Sequence, residues 1–291
     1  MVTGCALLMG GAVALAQYPA AVFEYSRSKP LNLTTVGSQT RGVARLTDIT
    51  FDRITSGRMA ATLVAPVGRV QARRPGILFV HWYEPPNPTS NRTEFVEDAV
   101  EMAGVGVVSL LVDTMWSDAT WFENRDPATD RGHSIEQVKQ LRRALDVLAS
   151  RPGVDPGRLY YVGHDFGAMY GAIVAALDAP RLKGFVFMAG TKAFSDWFLL
   201  WPTRADARQR ADAIAQTAHL DPPLYLARPE RLPMLFQFAT QDKFVPRASA
   251  DAIVAAVRSP REVRWYDAPH ALNADATRDR IAWLKRLIGT R

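Results

Sequence analysis

The sequence predicts an α/β chain built on a mostly parallel, doubly wound sheet with helices flanking it. Short apolar runs of strand length alternate with longer stretches of helical spacing, the pattern that parallel βαβ crossovers impose. Runs such as residues 76–81 and 107–112 are almost continuously apolar, broken only by His81 and Ser109, as expected for strands buried on both faces. At 291 residues and 48% apolar content, the chain is long enough for one large core.

In chain order, a polar lead-in precedes residues 45–51 and 59–65, which read as a meander at one edge of the sheet. Strand 76–81 follows, then helical spacing over 93–103 and strand 107–112. A long loop holding Trp116, Trp121 and Phe122 leads to a helix over 134–150, where Ile135, Val138, Leu141, Ala144, Leu145 and Leu148 recur at three- and four-residue steps. Strand 159–162, helix 166–177 and strand 184–188 come next. Strand 234–238, helix 248–257, strand 262–266 and helix 274–288 complete the chain. Residues 193–231 break the rhythm with Trp197, Phe198, Leu199, Leu200 and Trp201, a polar helical stretch, and Asp221-Pro222-Pro223. This excursion reads either as a small cap over the site or as an ordinary crossover with surface aromatics.

The formal charge of +6 comes mostly from scattered arginines, with no block of like charge, so it reads as a basic solvated surface and not as a nucleic-acid tail. Cys5 is the one cysteine, which excludes an intrachain disulfide, a cysteine metal site and thiol catalysis. Residues 5–16 are apolar and end in the small-x-small triplet Ala14-Leu15-Ala16, so residues 1–16 read as a secretory signal peptide and 17–291 as a single domain. Export to a periplasm or beyond is the expectation, with a cytoplasmic location as the alternative. The run is too short for a stable membrane anchor. No G-x-G-x-x-G follows the first βα turn, there is no P-loop, and the histidines lack metal-ligand spacing, so neither cofactor nor metal is expected. The partner is a small-molecule substrate, and the oligomeric state is left open.

Gly163-His164-Asp165-Phe166-Gly167 sits between an apolar strand and a helix. Two glycines flanking one residue at such a junction mark a tight turn that strains the central residue and projects it at the carboxyl edge of the sheet, facing a helix N-terminus. A carboxylate there needs a histidine to activate water and an acid to orient that histidine. Of the five histidines, His133 reads as a cap or surface residue, His164 as packing, His219 as the end of a polar stretch and His81 as structural. His270 lies directly after the last strand, in Asp267-Ala268-Pro269-His270, and is the candidate base. Asp242, just past strand 234–238, is the candidate acid, preferred over Asp267, which lies only three residues before the histidine. Oxyanion donors are expected from the backbone N–H of Phe166 and from Trp82 or Tyr83, with the Trp82 indole as an alternative halide or substrate contact. Trp116, Trp121, Trp197 and Trp201 can reach the same mouth, and Glu84 and Asp113 also lie near strand ends.

On these residues, from about 45 to 288, the chain resembles the α/β-hydrolase superfamily, whose order is nucleophile, acid, histidine. Asp242-Lys243-Phe244-Val245-Pro246 and Pro269-His270-Ala271-Leu272 look like its dienelactone-hydrolase branch, which carries Cys or Ser at the elbow. The Asp-containing elbow is similar to that of haloalkane dehalogenases and epoxide hydrolases, with Phe166 replacing their usual Trp. The resemblance implies a cofactor-independent hydrolase. An aspartate attacking carbon at a C–halogen or epoxide bond gives an ordinary enzyme ester that His270 can hydrolyse, and this is the first expectation. Attack on an ester carbonyl would give a high-energy anhydride, so a carboxylesterase or lactonase, the second expectation, would use His270 as base on water. A silent binding protein is the third.

Overall fold

The computed structural model describes residues 20–68, 73–200 and 206–290. In chain order its elements are β1 (Thr34–Arg41), β2 (Ala44–Asp52), β3 (Arg58–Pro66), β4 (Arg74–Val80), α1 (Val96–Gly104), β5 (Val108–Val112), α2 (Trp121–Asn124), α3 (Asp130–Ala149), β6 (Val154–His164), α4 (Phe166–Leu177) and β7 (Leu182–Met188). There follow α5 (Phe194–Phe198), α6 (Ala207–Thr217), α7 (Pro222–Leu226), β8 (Met234–Ala239), α8 (Arg247–Ala256), β9 (Arg261–Tyr266) and α9 (Ala274–Ile288). The strands form one sheet in the order β1-β2-β3-β5-β4-β6-β7-β8-β9. β1, β2, β3 and β5 pair antiparallel, and every pairing from β5 through β9 is parallel.

Two cores lie on opposite faces of that sheet. Along β4, Leu78 and Val80 pack with α3 and α4, while Ile77 and Phe79 pack with α1 and α9. This alternation is the period of two that a strand imposes, and it explains why a strand buried on both faces reads as continuously apolar. The mostly parallel, doubly wound sheet with flanking helices is the architecture the sequence predicts.

Several local details differ from the sequence reading. β1 lies in the stretch read as a polar lead-in; it is an exposed edge strand, so no buried face marks its sequence. The loop before α3 contains the short α2, and α3 begins at Asp130, four residues earlier than its apolar periodicity indicates. The 193–231 excursion supplies α5, α6 and α7; α7 packs on α4 and α8, whereas α6 is largely exposed. Residues 1–16, with the signal-peptide expectation, and Trp201 lie outside the described residues.

The arginines are not all surface groups. Arg142, Arg143 and Arg280 are buried. Arg280 pairs with buried Asp98, and Arg142 with buried Asp178 at 2.8 Å. Among the described residues Arg143 meets no carboxylate; its guanidinium donates to the carbonyls of Asp52 and Pro30, both at 2.6 Å, tying the approach to β1 and the end of β2 onto α3. Arg143→Met keeps the length and removes these donors, leaving carbonyls unpaired. Urea unfolding is expected to show a loss of about 3 kcal/mol. A loss under about 0.5 kcal/mol would mean that the carbonyls find water instead.

Candidate active site

β6 runs directly into α4 through residues 163–167, and the turn is tight enough to exclude side chains on both flanks. A Cβ on Gly163 would stand 2.3 Å from the Gly167 carbonyl oxygen, and one on Gly167 would stand 2.2 Å from that of Val80. Between them Asp165 adopts φ 54° and ψ −118°, a conformation that side chains rarely accept. It is held by its own N–H donating to the Met188 carbonyl at 2.8 Å and by its carbonyl accepting from Ala168 and Met169.

The Asp165 carboxyl has no solvent-exposed surface. Its Oδ2 accepts the backbone N–H of Tyr83 at 3.1 Å, and its Oδ1 has no hydrogen-bond partner among the described residues. Burial pushes its pKa up to about 8; the neighbouring His270 and the Tyr83 N–H oppose that rise, while Glu94 and Asp242 add to it. Around pH 7 the protonated form therefore predominates.

Asp242 follows β8 and folds back on itself, its Oδ1 accepting the N–H groups of Phe244 at 2.8 Å and Val245 at 3.0 Å. Its Oδ2 meets His270 Nδ1 at 2.8 Å. Burial alone would raise the Asp242 pKa, but the bond to His270, that ring's charge and the two backbone donors together bring it below its ordinary value. An ionised Asp242 accepts the hydrogen bond from Nδ1–H and so leaves the lone pair on His270 Nε2, an atom that is buried and has no partner among the described residues. Asp267, the competing acid, is tied to Gln241 and Thr240 instead.

The other sequence candidates fall into place around this pair. Tyr83 directs its backbone N–H at Asp165. Trp82 does not: its backbone N–H donates to Glu94 Oε2 at 2.8 Å and its indole to Thr89 Oγ1 at 3.3 Å, which corrects the expectation of an oxyanion donor or halide contact there. Phe166 opens α4, where backbone N–H groups lack helical partners, and its ring is buried against Trp116, Trp121, Trp197 and Phe198. Asp113 pairs with Arg92. Burial lowers the His81 pKa to about 4, so the ring is neutral: its Nδ1–H donates to the Trp82 carbonyl and its Nε2 accepts from the Ser117 and Thr114 hydroxyls, tying the end of β4 to the turn at 114–117.

Glu94 is the residue sequence reasoning missed. Its Oε1 lies 2.7 Å from His164 Nδ1, and His164 Nε2 lies 3.1 Å from the His270 carbonyl. A carbonyl only accepts, so Nε2 carries a proton, and the bond to Glu94 needs another. The pair thus holds two protons between them, with the Trp82 ring stacked at 5.0 Å on His164. His164 is more than packing: it anchors the backbone of His270. An acid at a helix start is common enough that nothing in the sequence singles out Glu94.

A cleft of about 340 Å³ reaches this set at Tyr83 and His270; Phe122, Trp197 and Phe244 also line it, with Glu84 and Glu123 as its carboxylates. Among the described residues no group of three His, Cys, Asp or Glu is placed to hold a metal ion.

The profile of the dienelactone hydrolase family matches residues 119–283. Solved structures with the same fold include an acetyl xylan esterase from Paenibacillus sp. R4, 17% identical, covering 93% of this chain and 92% of that one with a TM-score of 0.72. Acetyl xylan esterase 1 from Thermoanaerobacterium sp. JW/SL YS485 is 14% identical, covering 92% and 91% with a TM-score of 0.70. An S-formylglutathione hydrolase from Agrobacterium tumefaciens is 14% identical, covering 88% and 99% with a TM-score of 0.63. No curated protein matches the chain in sequence.

An acid whose folded pKa lies above its unfolded one contributes stability at low pH that is lost as pH rises to the folded value. Asp165→Asn abolishes that loss. Unfolding of both proteins at several pH values should show the difference moving in favour of the variant between about pH 4 and 8, on the order of 1.4 kcal/mol per pH unit, and flat above. A pH-independent difference would mean that Asp165 is ionised throughout.

Proposed function

The chain belongs to the dienelactone hydrolase family and is a hydrolase of the esterase type, and from that premise we propose that it hydrolyses carboxylic esters or lactones with water as the nucleophile. One observation carries this reading. Asp165 Oδ1 and His270 Nε2 are both buried and have no partner among the described residues; the first belongs to a carboxyl whose pKa burial pushes up to about 8, the second is the free nitrogen of a ring held through Nδ1 by Asp242. With Oδ2 engaged by Tyr83, the proton of Asp165 resides on Oδ1 and donates to the ester carbonyl oxygen, polarising it. His270 Nε2 takes a proton from the attacking water while Asp242 holds the ring. A neutral carboxylic acid is a poor nucleophile, which weighs against displacement at a C–halogen or epoxide carbon.

The cleft narrows the substrate. Its rings and two carboxylates, with no Lys or Arg among the described lining residues, favour a small uncharged ester over one bearing a carboxylate. Tyr83 and His270 line it and also act on Asp165, so they join the cleft to the reacting centre. We further propose export, on the apolar run of residues 5–16; among the described residues no helix is long and apolar enough to cross a membrane.

The second reading, an alkyl ester formed on Asp165, is favoured by the anchoring of Oδ2 alone: a free Oδ1 is placed to attack, and Oδ2 is placed to become the oxyanion of the hydrolytic step. The pH profile separates the two. Water attack needs protonated Asp165, so kcat/KM should fall as pH rises through about 8, whereas an Asp165 nucleophile would give a rise there. A parallel screen of esters, lactones, bromoalkanes and epoxides is expected to show turnover of the first two classes, lowered on the order of a thousandfold in kcat by His270→Gln. Turnover confined to bromoalkanes or epoxides would replace this reading with the second.

A further inference from the structure

Among the described residues, three buried polar atoms in or next to the cleft lining lack a hydrogen-bond partner: His270 Nε2, Trp197 Nε1 and, behind Tyr83, Asp165 Oδ1. The reaction above uses those of His270 and Asp165 and leaves that of Trp197 unexplained. An indole nitrogen can only donate, and a buried donor left unpaired forfeits its hydration with no return. Trp197 is 5% exposed, lines the cleft, and is fixed by rings on several sides: Phe244 at 5.4 Å, His270 at 5.5 Å and Phe166 at 5.8 Å. Its N–H is thus a positioned donor beside the candidate base.

An ester offers two acceptors, the carbonyl oxygen and the alkoxy oxygen. Asp165, at the elbow and held through its Oδ2 by the Tyr83 N–H from the loop after β4, serves the first. We infer that Trp197, reaching in from α5, donates its indole N–H to the alkoxy oxygen and stabilises it as it leaves. The inference rests on the ester reading above. Water adds to the carbonyl carbon and gives one proton to His270 Nε2. The C–O bond to the alkoxy oxygen then breaks, its electron pair stays on that oxygen, and His270 returns the proton there. Trp197 transfers no proton; it shares its own with the oxygen while negative charge builds. Such a donor matters most for leaving groups that hold negative charge poorly, so the structure assigns alkyl esters and lactones, beyond activated aryl esters, to this cleft.

The test is a series of butyrate esters running from p-nitrophenyl to ethyl, with Trp197→Phe keeping the ring and removing the donor. Loss of kcat/KM should be small for p-nitrophenyl butyrate and grow to the order of a hundredfold for ethyl butyrate. Equal loss along the series, or none, would overturn the inference while leaving the ester reading intact. Should the wild-type protein turn over no ester, that reading fails and the inference is judged by binding. The Trp197 indole proton resonance, assigned through the variant, should shift on adding ethyl butyrate and not on adding heptan-4-one, which keeps the carbonyl and lacks the alkoxy oxygen. Equal shifts with both, or no shift with either, would overturn it.

Discussion

The approach of α4 to the end of β4 governs everything built at this site. Gly167 comes so near that a Cβ would stand 2.2 Å from the Val80 carbonyl oxygen, and Gly163 is as crowded against Gly167. That contact sets the angle at which β6 becomes α4 and forces Asp165 to a positive φ. It also brings the loop after β4 alongside, so that Tyr83 meets the Asp165 carboxyl. Without two glycines the strand and helix could not close to this distance, and the carboxyl would lie elsewhere.

Closeness of this kind has an electrostatic consequence. Asp165, Asp242, Glu94, His164 and His270 share one largely buried region, where uncompensated charge is expensive. The protons are distributed to relieve it. Asp242 stays ionised because His270 and two backbone N–H groups meet it. Glu94 and His164 hold two protons as a couple. Asp165, met by one backbone donor among the described residues, is the carboxyl whose pKa burial pushes up to about 8. The elbow residue thus differs from an ionised nucleophile in the property that matters, and its environment causes the difference.

Much of this was legible in the sequence because the informative residues carry local marks. Gly163 and Gly167 flank a strand-to-helix junction, and Asp242 and His270 each follow an apolar strand. What stayed hidden depends on contacts across long separations. Glu94 and His164 are 70 residues apart and meet only because α1 and β6 flank β4's carboxyl end. Trp82 is kept from the carboxyl of Asp165 by Glu94, which accepts its backbone N–H, and by Thr89, which accepts its indole N–H, two loop residues that carry no motif. β1 escaped because its eight residues bury almost nothing, and Arg143 because a basic residue gives no sign that it will be spent on backbone carbonyls. The protonation of Asp165 is likewise a property of burial, which no motif records.

If water activated by His270 attacks the ester, Asp165 comes through the reaction unchanged. Single turnover of ethyl butyrate in oxygen-18 water, with mass analysis of both the product acid and the peptide containing Asp165, is then expected to place label in the butyrate and none in Asp165. Label in the Asp165 carboxyl would instead make the elbow residue a covalent nucleophile and overturn water attack on the ester.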